Sequence, residues 1–503
     1  MRKLLYGIII ALICYAFYLG AFSVLHGEIK FFNDVARDFL LLQEMDTKKI
    51  VLIGPRSNTN NLFHGPLWTY INYPVYVLGN GNPLVNAWYW LLLEALFLFS
   101  SFWIVKRLFG TFPAFIFVLM MSVRFIPHIN GVFHAEATIF VIPVLFFTIY
   151  EYVKTRDVRY LISHFIAVCV LTQLNIGVGV QFIVLSSGVA LYAVIRYRQW
   201  KHLIAFLIIP AGLINFILFD IKHQLQMTKA LIGTGASSTF FITLSAWIHD
   251  RINNIISMQL VENAGSYQVF LFFVFIFVMI FSFMQIKNEK KERLLYIIFL
   301  YYYFGYIGFS YFNKGILLFH YVYLLIPFTL LWVVSFLRGK YTIVFVPVVI
   351  ILFIINLQFS LSWIDYLQHQ FMGKDPNSWI GLSRIAKEIT KEQSGKEFGY
   401  FVYSPDAYAY QPRYAMIYNF KAVQAKAFEY GKRFTTFVIA QAPPADNPYM
   451  GYEWWVEVPA GIKAKAVKKI VFPNGYTLLS YHLSPEEQKV PHDKNIELGI
   501  HFR

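Results

Sequence analysis

The stretch Asn33-Asp34-Val35-Ala36-Arg37-Asp38 places three charges within five positions. It follows Leu4–Val24, an apolar run that meets the roughly 20 residues a bilayer crossing needs. A carboxylate at a membrane surface on an otherwise oily chain is poorly explained by packing. Arg37 lies three positions after Asp34 and shares its face of a helix. The two could act on a polar substrate at the outer membrane face. The alternative is an interfacial ion pair of Arg37 with Asp34 or Asp38.

A second polar group is Phe133-His134-Ala135-Glu136, where another apolar run begins. An ionisable residue there is costly and usually functional. The competing reading is a carboxylate stabilised at a helix N-terminus. His128 and His134 are weaker candidates, since a lone histidine near an interface is usually a satisfied polar residue. The Gly/Pro-rich stretches Gly54-Pro55-Arg56-Ser57-Asn58 and Phe63-His64-Gly65-Pro66 could shape a pocket at the interface.

These residues need elements to hold them, and composition says which kind. Hydrophobic residues are 57% of the 503 positions and charged residues 14%, which excludes an ordinary soluble enzyme. Aromatics are 19%, suited to lipid-facing Phe and interfacial Tyr and Trp. The net charge of +15 reads mostly as basic loops facing anionic lipid, and nucleic acid is not an expected partner. Cys14 and Cys169 lie in apolar segments and indicate neither a disulfide nor a metal site.

Hydropathy predicts about eleven spans, near Leu4–Val24, Leu84–Val105, Phe112–Phe125, Ala135–Tyr152, Leu161–Leu174, Gly177–Ile195, Leu203–Phe219, Val269–Ile286, Leu294–Phe312, Ile316–Phe336 and Ile343–Leu361. The first is longer than a signal-peptide core and reads as an uncleaved helix. A tight hairpin is expected at Gln173-Leu174-Asn175. Lys and Arg cluster in alternate short loops, among them Lys106-Arg107, Arg196/Arg198/Lys201 and Lys287/Lys290/Lys291/Arg293. Those loops should be cytoplasmic. The N-terminus is then inside, and loops 25–83 and 220–267 are outside. Residues 1–361 form the membrane domain.

Residues 362–503 read as a small extracytoplasmic α/β domain, with a helix over Ser378–Gln393 and strands at Phe398–Tyr403 and Thr435–Ala440. Lys469–Phe472 and Tyr476–Tyr481 flank Pro473-Asn474-Gly475, a hairpin signal. In the first outer loop, Asp34–Glu44 and Pro66–Leu78 read as amphipathic helices along the membrane surface.

The order of these parts is informative. A first span is followed by Asp-x-x-Arg opening an amphipathic helix, a Gly/Pro loop, and Phe63-His64-Gly65-Pro66 before a second such helix. Further on come Phe219-Asp220-Ile221-Lys222-His223, His320-Tyr321 before Pro327, and Val402-Tyr403-Ser404-Pro405-Asp406. In this order and placement the chain resembles the C-type (GT-C) membrane glycosyltransferases of the protein O-mannosyltransferase and aminoarabinose-transferase group. The resemblance implies a polytopic α-helical fold in the inner membrane. It implies transfer of a sugar from a polyprenyl-phosphate carrier to an acceptor outside the cytoplasm: a protein, glycolipid or glycan.

The resemblance also implies roles. By position, Asp34 is the general base on the acceptor hydroxyl, a group too poor a nucleophile without help. The leaving lipid phosphate needs cations, and Arg37 is the first choice. Glu136 matches the second carboxylate of relatives. It could orient the partner of Asp34, contact the acceptor, or hold a metal with Asp34. Relatives often carry lysine where this chain has Gly65, so His64, Arg56, Lys222 or His223 would replace that phosphate contact. No cofactor is expected: a divalent cation is not favoured, and no zinc-type His/Cys spacing occurs. The competing classes are a lipid or sugar transporter or flippase, and a noncatalytic scaffold. A transporter fits poorly, since the segments from Val269 onward are almost free of charge and the acidic groups sit on one side, and a scaffold has no evident need of Asp34, Arg37 and Glu136 at the membrane surface.

Overall fold

The computed structural model describes residues 2–233, 243–312, 317–406 and 408–497. Residues 234–242 of the expected outer loop, Lys314, Ile316 at the start of an expected span, and the last six residues lie outside that set.

Among the described residues, six helices are long and apolar enough to cross a membrane: Lys3–Leu25, Pro83–Phe109, Glu136–Thr155, Ile176–Arg196, Gly265–Asn288 and Gly339–Phe371. A seventh is the pair Trp200–Gly212 and Ile214–Lys222, bent by 51°. The expected span Leu203–Phe219 is therefore not one straight helix. Pro210, which lacks a donor, and Gly212 stand just before the break at Leu213. Thr111–Phe125, Val158–Leu174, Arg293–Phe309 and Phe319–Val334 are shorter apolar helices at other expected spans. The hairpin at residues 173–175 is present. Asn175 ends one helix, and its side chain accepts from the Val178 N–H to start the next.

Both surface helices form, as Asn33–Glu44 and Leu67–Leu78. The first buries Val35, Ala36, Phe39 and Leu40–Leu42, and carries Asp34 in its first turn, where the helix dipole favours a carboxylate.

The C-terminal region holds a five-stranded sheet: β1 (Phe398–Tyr403), β2 (Ala427–Glu429), β3 (Thr435–Gln441), β4 (Lys468–Val471) and β5 (Tyr476–His482), in the order β2-β1-β3-β5-β4. β1 is parallel to β2 and β3, and β5 is antiparallel to β3 and β4. Gly475, at φ 78°, closes the expected hairpin. The expected helix is Trp379–Glu392, capped by the Ser378 hydroxyl accepting from the Gly381 N–H.

This region is packed onto residues 25–83. Phe31 meets Trp379 at 4.9 Å between ring centroids, and Phe39 meets Tyr414 at 5.2 Å. The Tyr414 hydroxyl donates to the Gly81 carbonyl at 2.6 Å. Ser378 Oγ donates to the buried carboxylate of Glu28 at 2.5 Å, and burial pushes that acid up to about 7. The helix Tyr410–Ala422 thus lies against Asn33–Glu44 and sets its position.

Candidate active site

Asp34, Arg37 and Asp38 lie on successive turns of one short helix, with the guanidinium between the carboxylates. Arg37 Nη1 is 2.8 Å from Asp34 Oδ1, and Nη2 is 3.4 Å from Asp38 Oδ1. Exposure separates the acids: the Asp34 side chain is 40% exposed, that of Asp38 11%. Burial disfavours a charge on Arg37, but the two carboxylates outweigh it and hold its pKa above the ordinary value. Burial raises Asp38 to about 6, even with Arg37 opposing the shift. The ion-pair alternative for Arg37 is therefore realised with both acids.

Asp38 also reaches across the fold. Its Oδ2 is 3.4 Å from His134 Nδ1, and the His134 ring lies 4.4 Å from that of His64. Both imidazoles are held well below their usual pKa, chiefly by burial, with Arg37 adding to it. They are neutral at pH 7. His64 Nδ1 accepts from the Ile176 N–H at 3.3 Å, which orients the ring. His320 is close enough to Asp34 and Arg37 to interact electrostatically. The exposed Asp406 accepts from Asn33 Nδ2, so the C-terminal region closes over the first turn of the helix.

Glu136 belongs to a neighbouring group. Its Oε1 lies 3.6 Å from His128 Nδ1, whose other nitrogen is 3.1 Å from Glu262 Oε1. Arg124 pairs with the other Glu262 oxygen and donates to Asn356 Oδ1 at 3.3 Å. Burial alone would lower His128, but Glu262 and Glu136 reverse that and lift it to about 9. For Glu262 burial would raise the acid, yet Arg124 and His128 hold it far below the carboxylate range. The group sets Arg124 and His128 against Glu136 and Glu262. Among the described residues, no cluster of three or more His, Cys, Asp or Glu side chains is placed to hold a metal ion.

The loop candidates form a separate layer. Gly54 and His64 are joined by a backbone hydrogen bond at 2.8 Å, and Arg56 donates to Asn60 at the exposed tip. Phe219 packs on Phe63 at 5.6 Å and under the His223 ring at 4.0 Å. Lys222 and His223 therefore sit beside the Arg56 loop, not with Arg37. Gly65 has no room for a side chain. A Cβ there would fall 1.8 Å from Gln173 Oε1 and 2.8 Å from Gln173 Cα, and the Gly65 N–H donates to the Gln173 carbonyl at 2.8 Å.

With this geometry in hand, comparison with known proteins gives one kind of match. No family model matches the chain, and no curated protein matches it. Among solved structures, the chain superposes on ArnT from Cupriavidus metallidurans bound to undecaprenyl phosphate with a TM-score of 0.61, at 10% identity, over 95% of this chain and 98% of that one. The apo state of the same protein gives a TM-score of 0.60 at 10% identity, with the same coverage of both chains. This chain and ArnT share a fold. At this identity the match is one of architecture, from the first helix to the terminal sheet.

Within the shared fold, Asp34, Arg37 and His64 come together as candidates, while Glu136 has its own partners. Glu262 and Arg124 were missed by sequence reasoning. They are 138 residues apart, and a lone acid before an apolar run carries no sign of its partner. Asp38 and His134, 96 positions apart, were visible only as separate polar residues.

Proposed function

We propose that this chain transfers a sugar from a polyprenyl-phosphate carrier to an acceptor hydroxyl at the outer face of the membrane. The observation that carries the reading is the half-exposed Asp34, ion-paired to the less exposed Arg37 at the start of a short helix. The shared fold with a protein crystallised with undecaprenyl phosphate supports it.

In this reading the acceptor oxygen attacks the anomeric carbon as Asp34 takes its proton. The bond from that carbon to the phosphate oxygen breaks, and the electron pair leaves on the polyprenyl phosphate. Arg37 holds Asp34 aimed. Its competition with two carboxylates weakens its claim on the phosphate, so His64, Arg56, Lys222 and His223 share that role in our assignment. Glu136 acts through His128. No step requires a metal.

We infer eleven spans: the six long helices, the bent pair taken as one, and the four shorter apolar helices. This topology puts residues 362–503 outside, together with Asp34. The test is release of polyprenyl phosphate from a labelled polyprenyl-phosphate sugar by the purified chain with envelope glycolipid and protein as acceptors. Release and sugar transfer in equal amounts support the reading. Carrier that is moved across vesicles intact, with no release, overturns it in favour of a transporter.

A further inference from the structure

Just after β1, the C-terminal region comes against the Asp34 helix. Asp406 accepts from Asn33 Nδ2, the residue next to Asp34. Its Oδ1 accepts from the Tyr408 N–H at 3.0 Å and from the Ala409 N–H at 3.3 Å. One carboxylate therefore ties these residues to the first turn of the helix. Ala409 has φ 50°, in the left-handed region that an alanine seldom adopts. Such strain persists where the surroundings enforce it, and it clusters at ligand sites.

On either side of Ala409 stand Tyr408 and Tyr410. Their rings stack, 5.1 Å between centroids and 30° between planes. Tyr410 is close enough to Arg37 to interact electrostatically, and Arg37 lies 2.8 Å from Asp34. Packing explains Tyr410, which is partly buried against the core. It does not explain Tyr408, which stacks on Tyr410 and is 49% exposed.

We propose that Tyr408 and Tyr410 are sugar-reading residues of the active site, a stacked platform for the pyranose ring of the carrier-linked donor. The inference rests on the glycosyltransferase reading and gives the C-terminal region a part in it. The transferred sugar brings its anomeric carbon next to the hydroxyl that Asp34 serves, so its ring lies close to that carboxylate. A pyranose has an apolar C–H face, and a flat aromatic ring with one side open is suited to pack on it. Tyr408 makes that contact, and Tyr410 backs it and links it to Arg37. Stacking of this kind acts on the ring as such and leaves the choice of hydroxyl pattern to other groups.

The experiment is native mass spectrometry of the full chain in detergent with two probes, undecaprenyl phosphate glucose and undecaprenyl methyl phosphate. Both are phosphodiesters of equal charge, and only the first carries a ring. The wild type should bind the glucose probe roughly three-fold or more tightly, the scale of one aromatic face. Tyr408→Ala should abolish that difference and leave the methyl probe unchanged. Tyr408→Phe, which keeps the flat ring, should preserve it, and Tyr410→Leu, which removes the backing, should reduce it. Tyr449→Ala removes a 96% exposed tyrosine elsewhere in the same region and should change neither affinity. A melting curve for each variant separates loss of binding from loss of fold. A difference that survives in folded Tyr408→Ala would overturn the platform. Equal binding of the two probes by the wild type would do the same, as would a Tyr408→Ala variant that weakens both alike. Failure of both probes to bind the wild type counts against the carrier-dependent reading and takes the platform with it, whereas binding without a difference overturns the platform alone.

Discussion

Arg37 Nη1 lies 2.8 Å from Asp34 Oδ1, and the arginine is the less exposed of the two, 15% against 40%. In the proposed reading, the less exposed member holds the geometry and the open one meets the substrate. A proton acceptor needs both conditions: a fixed direction and access to the hydroxyl it serves.

Asp34→Asn keeps the shape and removes the basicity. Turnover of the purified variant should fall by about 100-fold or more, the scale of one general base. Binding of undecaprenyl phosphate and the melting temperature should stay near wild type. Turnover within a factor of two of wild type would remove Asp34 from the mechanism.

Arg37→Ala leaves Asp38 buried without its cation, at a cost of about 1.5–3 kcal/mol in stability. The loss should shrink as pH falls, since Asp38 is then protonated and needs no partner. Arg37→Lys should be intermediate, because a single ammonium cannot span both carboxylates as the planar fork does. Thermal melts at three pH values, with Arg37→Ala/Asp38→Asn as the rescue, check this. A double variant no more stable than Arg37→Ala would contradict it.

Gly65→Ala should be poorly folded, because its Cβ would collide with backbone and side chain of Gln173. Gly65→Lys should fail in the same way and gain no affinity for polyprenyl phosphate. Expression and size-exclusion profiles read the first point, and carrier titration the second. A well-folded Gly65→Lys that binds carrier more tightly would show that the loop can reopen.

His128 titrates near 9 in the folded chain, above its ordinary 6.5. A raised histidine adds stability that is complete below about pH 6.5 and is lost as pH rises through about 9. The wild-type melting temperature should therefore drop between pH 7 and pH 10 by more than that of His128→Gln. Parallel drops in the two proteins would show that the Glu136–His128–Glu262 group is not linked to folding.

A reporter fused after Asp375 should be active only outside the cytoplasm. Asp375 precedes the Ser378 contact to Glu28, so the fusion also reports the side on which the Asp34 helix lies. Cytoplasmic activity would overturn the eleven-span topology and the location of the site together.

The membrane class, the surface helix at Asp34 and the terminal hairpin were legible in the sequence because each depends on local physics. An apolar run in lipid must close its own backbone hydrogen bonds, so length and composition find the helices. Asn474-Gly475 supplies the turn that β4 and β5 require. Arg37 beside Asp34 follows from helical spacing alone. The bend at Leu213 was missed because a proline and a glycine permit a kink without saying whether packing takes it. What only the tertiary structure decided is which charges meet at long range. Asp38 finds His134 and Arg124 finds Glu262 because burial makes an unpaired charge costly, and the fold alone determines which distant residue is there to pair. The same holds for Gly65, where the closeness of Gln173 shuts out a side chain, and for the C-terminal region, whose Trp379 and Tyr414 seat the helix that carries Asp34.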